Sequence, residues 1–126
     1  MAEKIYMSFP PNTEYIGTIR LAASGLAGLL DFNLDTIEDF KSCISESCLL
    51  LLCGQTCTEL KIEFEITDDI KVKVTGTDVK AADESAFEEF NDEISRIMIE
   101  ALSEESEFKE TDGILQSIQF IKKHSN

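Results

Sequence analysis

Residues 59–75 carry the pattern that most narrows the fold. Leu60, Ile62, Phe64 and Ile66 alternate with Glu59, Lys61, Glu63 and Glu65, and after Thr67-Asp68-Asp69 the residues Ile70, Val72 and Val74 alternate with Lys71, Lys73 and Thr75. Successive side chains of a strand point to opposite faces, so this is a hairpin with one apolar and one charged face. The apolar face calls for helices, and on the charged face glutamates can pair with lysines across the strands. Such a sheet is covered on one side only.

The flanking segments supply the cover. Lys4-Ile5-Tyr6-Met7-Ser8-Phe9 reads as a short strand ended by Pro10-Pro11, and Asn12 is placed to cap a helix. In that helix Ile16, Ile19, Ala23, Leu26 and Leu30 recur at helical spacing, and Gly17, Gly25 and Gly28 offer places for close backbone approach. Asp35, with Glu38 three residues on, opens a second helix in capping-box style, whose buried stripe is Ile37, Phe40, Ile44, Cys48 and Leu51 and whose stop is Gly54. A polar connection runs from Gly76 to Glu84. A third stripe follows in Phe87, Phe90, Ile94, Ile97 and Ala101, and a last hairpin turns at Asp112-Gly113 and ends in Ile118, Phe120 and Ile121. The expected fold is a two-layer α/β (α+β) sandwich, a mixed and mostly antiparallel sheet covered on one face by three helices, forming a single domain over residues 1–126.

Composition excludes several function classes. With 126 residues and 43% hydrophobic content the chain has material for one core, and 25 acidic against 11 basic residues give a formal charge of -14. That charge repels nucleic-acid backbones and anionic membranes and favours a basic protein partner. The acidic stretch from Asp83 to Asp112, relieved only by Arg96 and Lys109, would steer such a partner or serve solubility. No signal-like apolar core opens the sequence and Cys48 to Cys53 is far too short to span a bilayer, so a cytoplasmic location is expected. Cys43, Cys48, Cys53 and Cys57 lie five, five and four residues apart. Steps of five advance about 140° around a helix, so the first three point to different sides and hold no common metal. Reduced thiols packed as small apolar groups are the expectation, and His124 falls in a tail expected to fray.

Tyr15-Ile16-Gly17-Thr18-Ile19-Arg20-Leu21, Ala23-Ser24-Gly25-Leu26-Ala27, Ile37-Glu38-Asp39-Phe40-Lys41 and Ser45-Glu46-Ser47-Cys48 resemble the opening helices of the bacterial anti-sigma-factor serine kinases of the RsbW type, within the GHKL (Bergerat) ATP-binding fold. The resemblance is specific in the first half; later elements fit by hydrophobic pattern. It implies a site of three parts. A catalytic glutamate is followed four residues later by an asparagine that holds magnesium, and here Glu46 matches the first while Leu50 occupies the second. Leucine offers a hard cation no oxygen. An adenine-reading aspartate follows the third strand, where this chain has Gly76, with Asp78 two residues on as the candidate replacement. A glycine-rich lid cradles phosphates, whereas Asp92-Glu93-Ile94-Ser95-Arg96 has no glycine and opens with two acids that repel phosphate.

The expectation is therefore a degenerate member without cofactor, which binds a sigma factor or an anti-anti-sigma-type regulator without phosphorylating it. By the resemblance, Glu14 and Arg20 lie on the partner-binding helix, and a homodimer is admitted. In the alternative, an active ATP- and magnesium-dependent serine kinase, Glu46 is catalytic and Asp78 binds the cofactor. The plain readings are that Glu46 is an exposed helix glutamate, that Glu14 and Arg20 are solvated charges, and that Leu49 to Leu52 fill core.

Overall fold

The computed structural model describes residues 2–81 and 90–124. In chain order it has β1 (Glu3–Phe9), a 3-10 turn (Thr13–Tyr15), α1 (Ile16–Leu29), α2 (Leu34–Leu52), β2 (Gln55–Thr56), β3 (Glu59–Ile66), β4 (Ile70–Thr77), β5 (Lys80–Ala81), α3 (Asp92–Leu102), β6 (Glu105–Thr111) and β7 (Ile114–Lys122). One sheet has the order β1-β3-β4-β7-β6, with the three helices as the second layer of an α+β sandwich, consistent with a GHKL-type ATPase domain.

The sheet is antiparallel at every pairing rather than mixed. Direction explains the difference. An odd number of chain reversals across the two intervening helices returns β3 antiparallel to β1, and the hairpins β3–β4 and β6–β7 are antiparallel by construction. A second, two-stranded sheet of β2 and β5 has no counterpart in the sequence reading, because two-residue strands carry no periodic signal. Gln55 of β2 extends its amide to the large sheet: its Nε2 donates to the Leu115 carbonyl at 2.7 Å and its Oε1 accepts from the Leu115 N–H at 2.7 Å. It thereby stands in for a strand neighbour just beyond the last β4–β7 pair, Thr75 with Ser117.

The hairpin reading of residues 59–77 holds in detail. Leu60, Ile62, Phe64, Ile70, Val72 and Val74 are buried, while Glu63 stands opposite Lys73 and Glu65 opposite Lys71. The ion pair within 4 Å that Glu63 makes is instead with Lys4 of β1, at 3.8 Å. Asp112 and Gly113 both have positive φ, 53° and 78°, the backbone of a tight primed turn that glycine adopts without strain.

Four local readings are corrected. Asn12 caps the 3-10 turn, accepting from the Glu14 N–H at 2.9 Å, and α1 simply continues from that turn. Asn33, not Asp35, caps α2, accepting from the Thr36 N–H at 2.8 Å; the helix begins at Leu34, which leaves Asp35 inside the first turn, where its charge favours the dipole. Gly17, Gly25 and Gly28 meet nothing within 4 Å of where a Cβ would stand, and α1 approaches α2 through the buried Ile19, Ala23 and Ala27. His124 is held, its N–H on Asp69 Oδ1 at 3.1 Å and its ring edge-on to Phe32.

The third helix differs most. Its buried side is Ser95 and Ile99, while Ile94 and Ile97 are 54% and 56% exposed and Ala101 is exposed. Phe90 is partly buried, and Phe87 lies outside the described residues. Three anchors set the rotation of α3. Ser95 bonds to α2, the Arg96 guanidinium bridges Asp92 (2.8 Å) and Glu110 (2.7 Å) over the Phe108 ring, and Lys122 Nζ donates to the Leu102 carbonyl at 2.7 Å at the helix C-terminus. Lys122, nearly buried, also meets Glu104 at 3.5 Å and Asp39 at 3.7 Å, so it joins α2, the end of α3, the α3–β6 connection and β7.

The core centres on α2, where the Phe40 ring meets Phe120 of β7 edge-on at 6.0 Å. Phe40→Ala should cost about 3–5 kcal/mol in denaturant unfolding, whereas Tyr6→Ala, on the open face of the sheet, should stay within about 0.5 kcal/mol.

Candidate functional site

Helical spacing puts Glu46 and Leu50 one turn apart on the side of α2 that α3 covers. Ser95 Oγ donates to Glu46 Oε2 at 2.7 Å, and Leu50 is fully buried. At the end of α2 the fit is tight: a Cβ on Gly54 would lie 2.8 Å from the Leu50 carbonyl oxygen and 3.1 Å from the Phe90 ring. The carboxylate of Glu46 is thus half-buried and engaged by a hydroxyl. Ser95 was invisible as its partner from sequence because the two are 49 residues apart, on elements whose rotation only the fold sets.

Gly76, at the end of β4, is buried. A Cβ built there would meet Val79 Cγ2 at 2.8 Å, Cys57 Cβ at 3.2 Å and Leu51 Cδ2 at 3.5 Å. These atoms occupy the space that any larger side chain would need. Asp78 follows with a left-handed φ of 49°; it is exposed, and its Oδ2 accepts from Thr58 Oγ1 at 3.4 Å. Among the described residues Asp78 and Glu46 share no hydrogen-bond partner. The described cavities lie elsewhere; one on the charged face of the sheet, of about 430 Å³, is lined by Tyr6, Ser8, Lys61, Glu63, Lys73 and Thr75 among others.

Glu14 lies exposed in the 3-10 turn. Arg20 is half-buried and tied to α2, its Nη1 donating to Ser45 Oγ at 2.5 Å and to the Lys41 carbonyl at 3.3 Å. It clamps α1 to α2 while leaving part of the guanidinium to solvent, so a structural role accounts for its contacts.

Among the described residues no group of three or more His, Cys, Asp or Glu side chains could hold a metal ion, and no helix is long and apolar enough to cross a membrane. All four cysteines are free. Burial pushes the Cys43 thiol up to about 12, against the neighbouring Lys122 charge that pulls it down, and burial alone does the same to Cys48. Cys53 and Cys57 are raised by burial as well.

The chain is 33% identical over 98 residues to the Serine-protein kinase RsbW of Bacillus cereus (strain B4264), covering 75% of the chain and 58% of that protein. It is 48% identical over 46 residues to the protein of the same name from Bacillus thuringiensis (strain Al Hakam), covering 36% of the chain and 29% of that protein. Its relatives are proteins named Serine-protein kinase RsbW. The chain therefore spans little more than half the length of the curated relatives it matches. No protein-family profile matches it.

The thiols give a direct check of this interior. Cys43 and Cys48 should stay unmodified by a thiol reagent at pH 8 until the protein unfolds, while Cys53 and Cys57 react first. The folded pKa of Cys43 and of Cys48 lies above the ordinary 9.0, so the contribution of these two thiols to stability is complete below about pH 9 and is lost as pH rises towards about 12. Denaturation followed from pH 8 to 11 should show stability falling with pH; a flat profile would contradict the burial of these two thiols.

Proposed function

We propose that this protein is an anti-sigma-factor-like regulator that binds a sigma factor or an anti-anti-sigma-type partner and carries no nucleotide. One observation carries the nucleotide-free half: the closed space at Gly76, where the resemblance puts the adenine-reading aspartate and where Val79, Cys57 and Leu51 leave no room for one. Leu50 supports it, being an apolar, fully buried side chain at the position of the magnesium-holding amide. The first turn of α3 supports it too, since Asp92 and Glu93 stand where a phosphate would need backbone N–H groups and no like charge.

The regulator half rests on the similarity to the RsbW proteins and on the helices that carry it. The residues that carry the resemblance lie in α1 and α2, and Glu14 and Arg20 are the proposed points of partner contact on that surface. The free, unbridged thiols and the acidic charge fit a cytoplasmic protein with a basic partner.

The alternative reading is an active serine-protein kinase. It is favoured by Glu46, whose half-buried carboxylate is already oriented by Ser95, and by the name of the relatives. In that reading Glu46 is catalytic and Asp78 is the residue that must reach adenine.

Thermal unfolding with millimolar magnesium-ATP and magnesium-ADP separates the two. A ligand at about 100 times its dissociation constant stabilises by about 2.7 kcal/mol and raises the melting temperature by several degrees in a domain of this size. The expected result is no shift; a clear shift restores the kinase reading. Leu50→Asn should likewise gain no nucleotide binding and should cost about 1–3 kcal/mol, because the amide enters an apolar interior.

A further inference from the structure

The outward rotation of α3 leaves an apolar stripe that no other element among the described residues covers. Ile94, Ile97 and Ala101 fall on one face of the helix, spanning seven residues or about 10 Å, and both isoleucines are more than half exposed. Isolated exposed apolar side chains need no explanation, but two isoleucines and an alanine in helical phase form a continuous strip. Along one side of it stand Glu93 and Glu100, also seven residues apart and both exposed. Among the described residues neither makes an ion pair, in contrast to Asp92 on the same helix, which is taken by Arg96.

We infer that this face of α3 is a docking surface for a basic amphipathic helix of a partner protein. The strip matches in length and phase the apolar anchors of a helix laid alongside, and the unpaired Glu93 and Glu100 call for Lys or Arg on the flank of those anchors. A second copy of this chain is disfavoured as occupant, since it brings the same two glutamates and a formal charge of -14 to the contact. An anionic membrane is repelled for the same reason. The surface is distinct from the α1 region of Glu14 and Arg20, and it stands whether or not nucleotide binds.

The test uses a synthetic helical peptide of Lys and Leu, with Leu at helical spacing along one face, against the whole chain. Backbone amide shifts should move along residues 93–101. Ile97→Gln should weaken binding roughly tenfold, and Glu93→Gln with Glu100→Gln should weaken it and flatten its dependence on salt. Leu21→Gln on α1 should bind as the native chain does. Ile97 is exposed, so its variant should melt normally; should it fail to fold, Glu100→Lys reads the same surface through loss of binding. The proposal is overturned if the peptide perturbs residues elsewhere, or if Ile97→Gln binds as tightly as the native chain, which would mean charge attraction without a site. It is equally overturned if sedimentation shows a native dimer that Ile97→Gln converts to monomer, since the occupant is then a second copy.

Discussion

Burial of α2 is the constraint from which the rest of the molecule follows. Phe40, Cys43, Ile44, Cys48, Leu50 and Leu51 are all fully buried. In a helix these positions span roughly half the circumference, so a single sheet face cannot cover them. The sheet takes one sector through Phe120 and the inner faces of β3 and β4, α1 takes a second through Ala23 and Ala27, and α3 takes a third through Ser95 and Ile99. Burial of Phe40, Ile44, Leu50 and Leu51 contributes about 1.5–3 kcal/mol for each side chain. The one-sided sheet and the three-helix layer are two views of that single requirement.

Polar contacts then decide how the helices sit. Arg20 fixes α1 on α2, and Ser95, Arg96 and Lys122 fix α3. Lys122 has the most demanding position, since a nearly buried ammonium needs compensation, and it finds a helix-terminal carbonyl and two carboxylates. These contacts are worth less as sources of stability than as sources of orientation. With Arg96 forked between Asp92 and Glu110 and stacked on Phe108, α3 cannot rotate its isoleucines inward without breaking the fork. The exposed stripe is a consequence of that choice.

This explains which features the amino-acid pattern disclosed. Period-two alternation in residues 59–75 depends only on neighbours along the strand, and the hairpin stands as read. The α2 stripe was legible for the same reason. On α3 both faces carry apolar residues, so the larger ones suggested the core side while Ser95 and Ile99 occupy it; the deciding contacts come from Glu46, Glu110 and Lys122, which periodicity cannot see. The site divides likewise. Glu46 and Leu50 could be placed on one helix face from spacing alone, whereas the tightness at Gly76 depends on Cys57, Leu51 and Val79, three residues gathered from different elements.

On the proposed reading, the same packing that stabilises the chain removes the nucleotide site. An asparagine and an aspartate facing a pocket are satisfied when metal and adenine are present; without them, each polar group pays desolvation with no partner, about 1–3 kcal/mol by the measure of buried polar substitutions. Leucine at position 50 and glycine at position 76 carry no such penalty. Leu50 adds a fully buried side chain to the interior and Gly76 lets Val79 and Cys57 close against β4. The interior is then complete without a ligand. What stays exposed and chemically distinctive is the outer surface: the charged face of the sheet, the partly free Arg20, and the acid-flanked strip on α3. A chain of this kind acts through what it touches, and its strong negative charge restricts the partners it can approach.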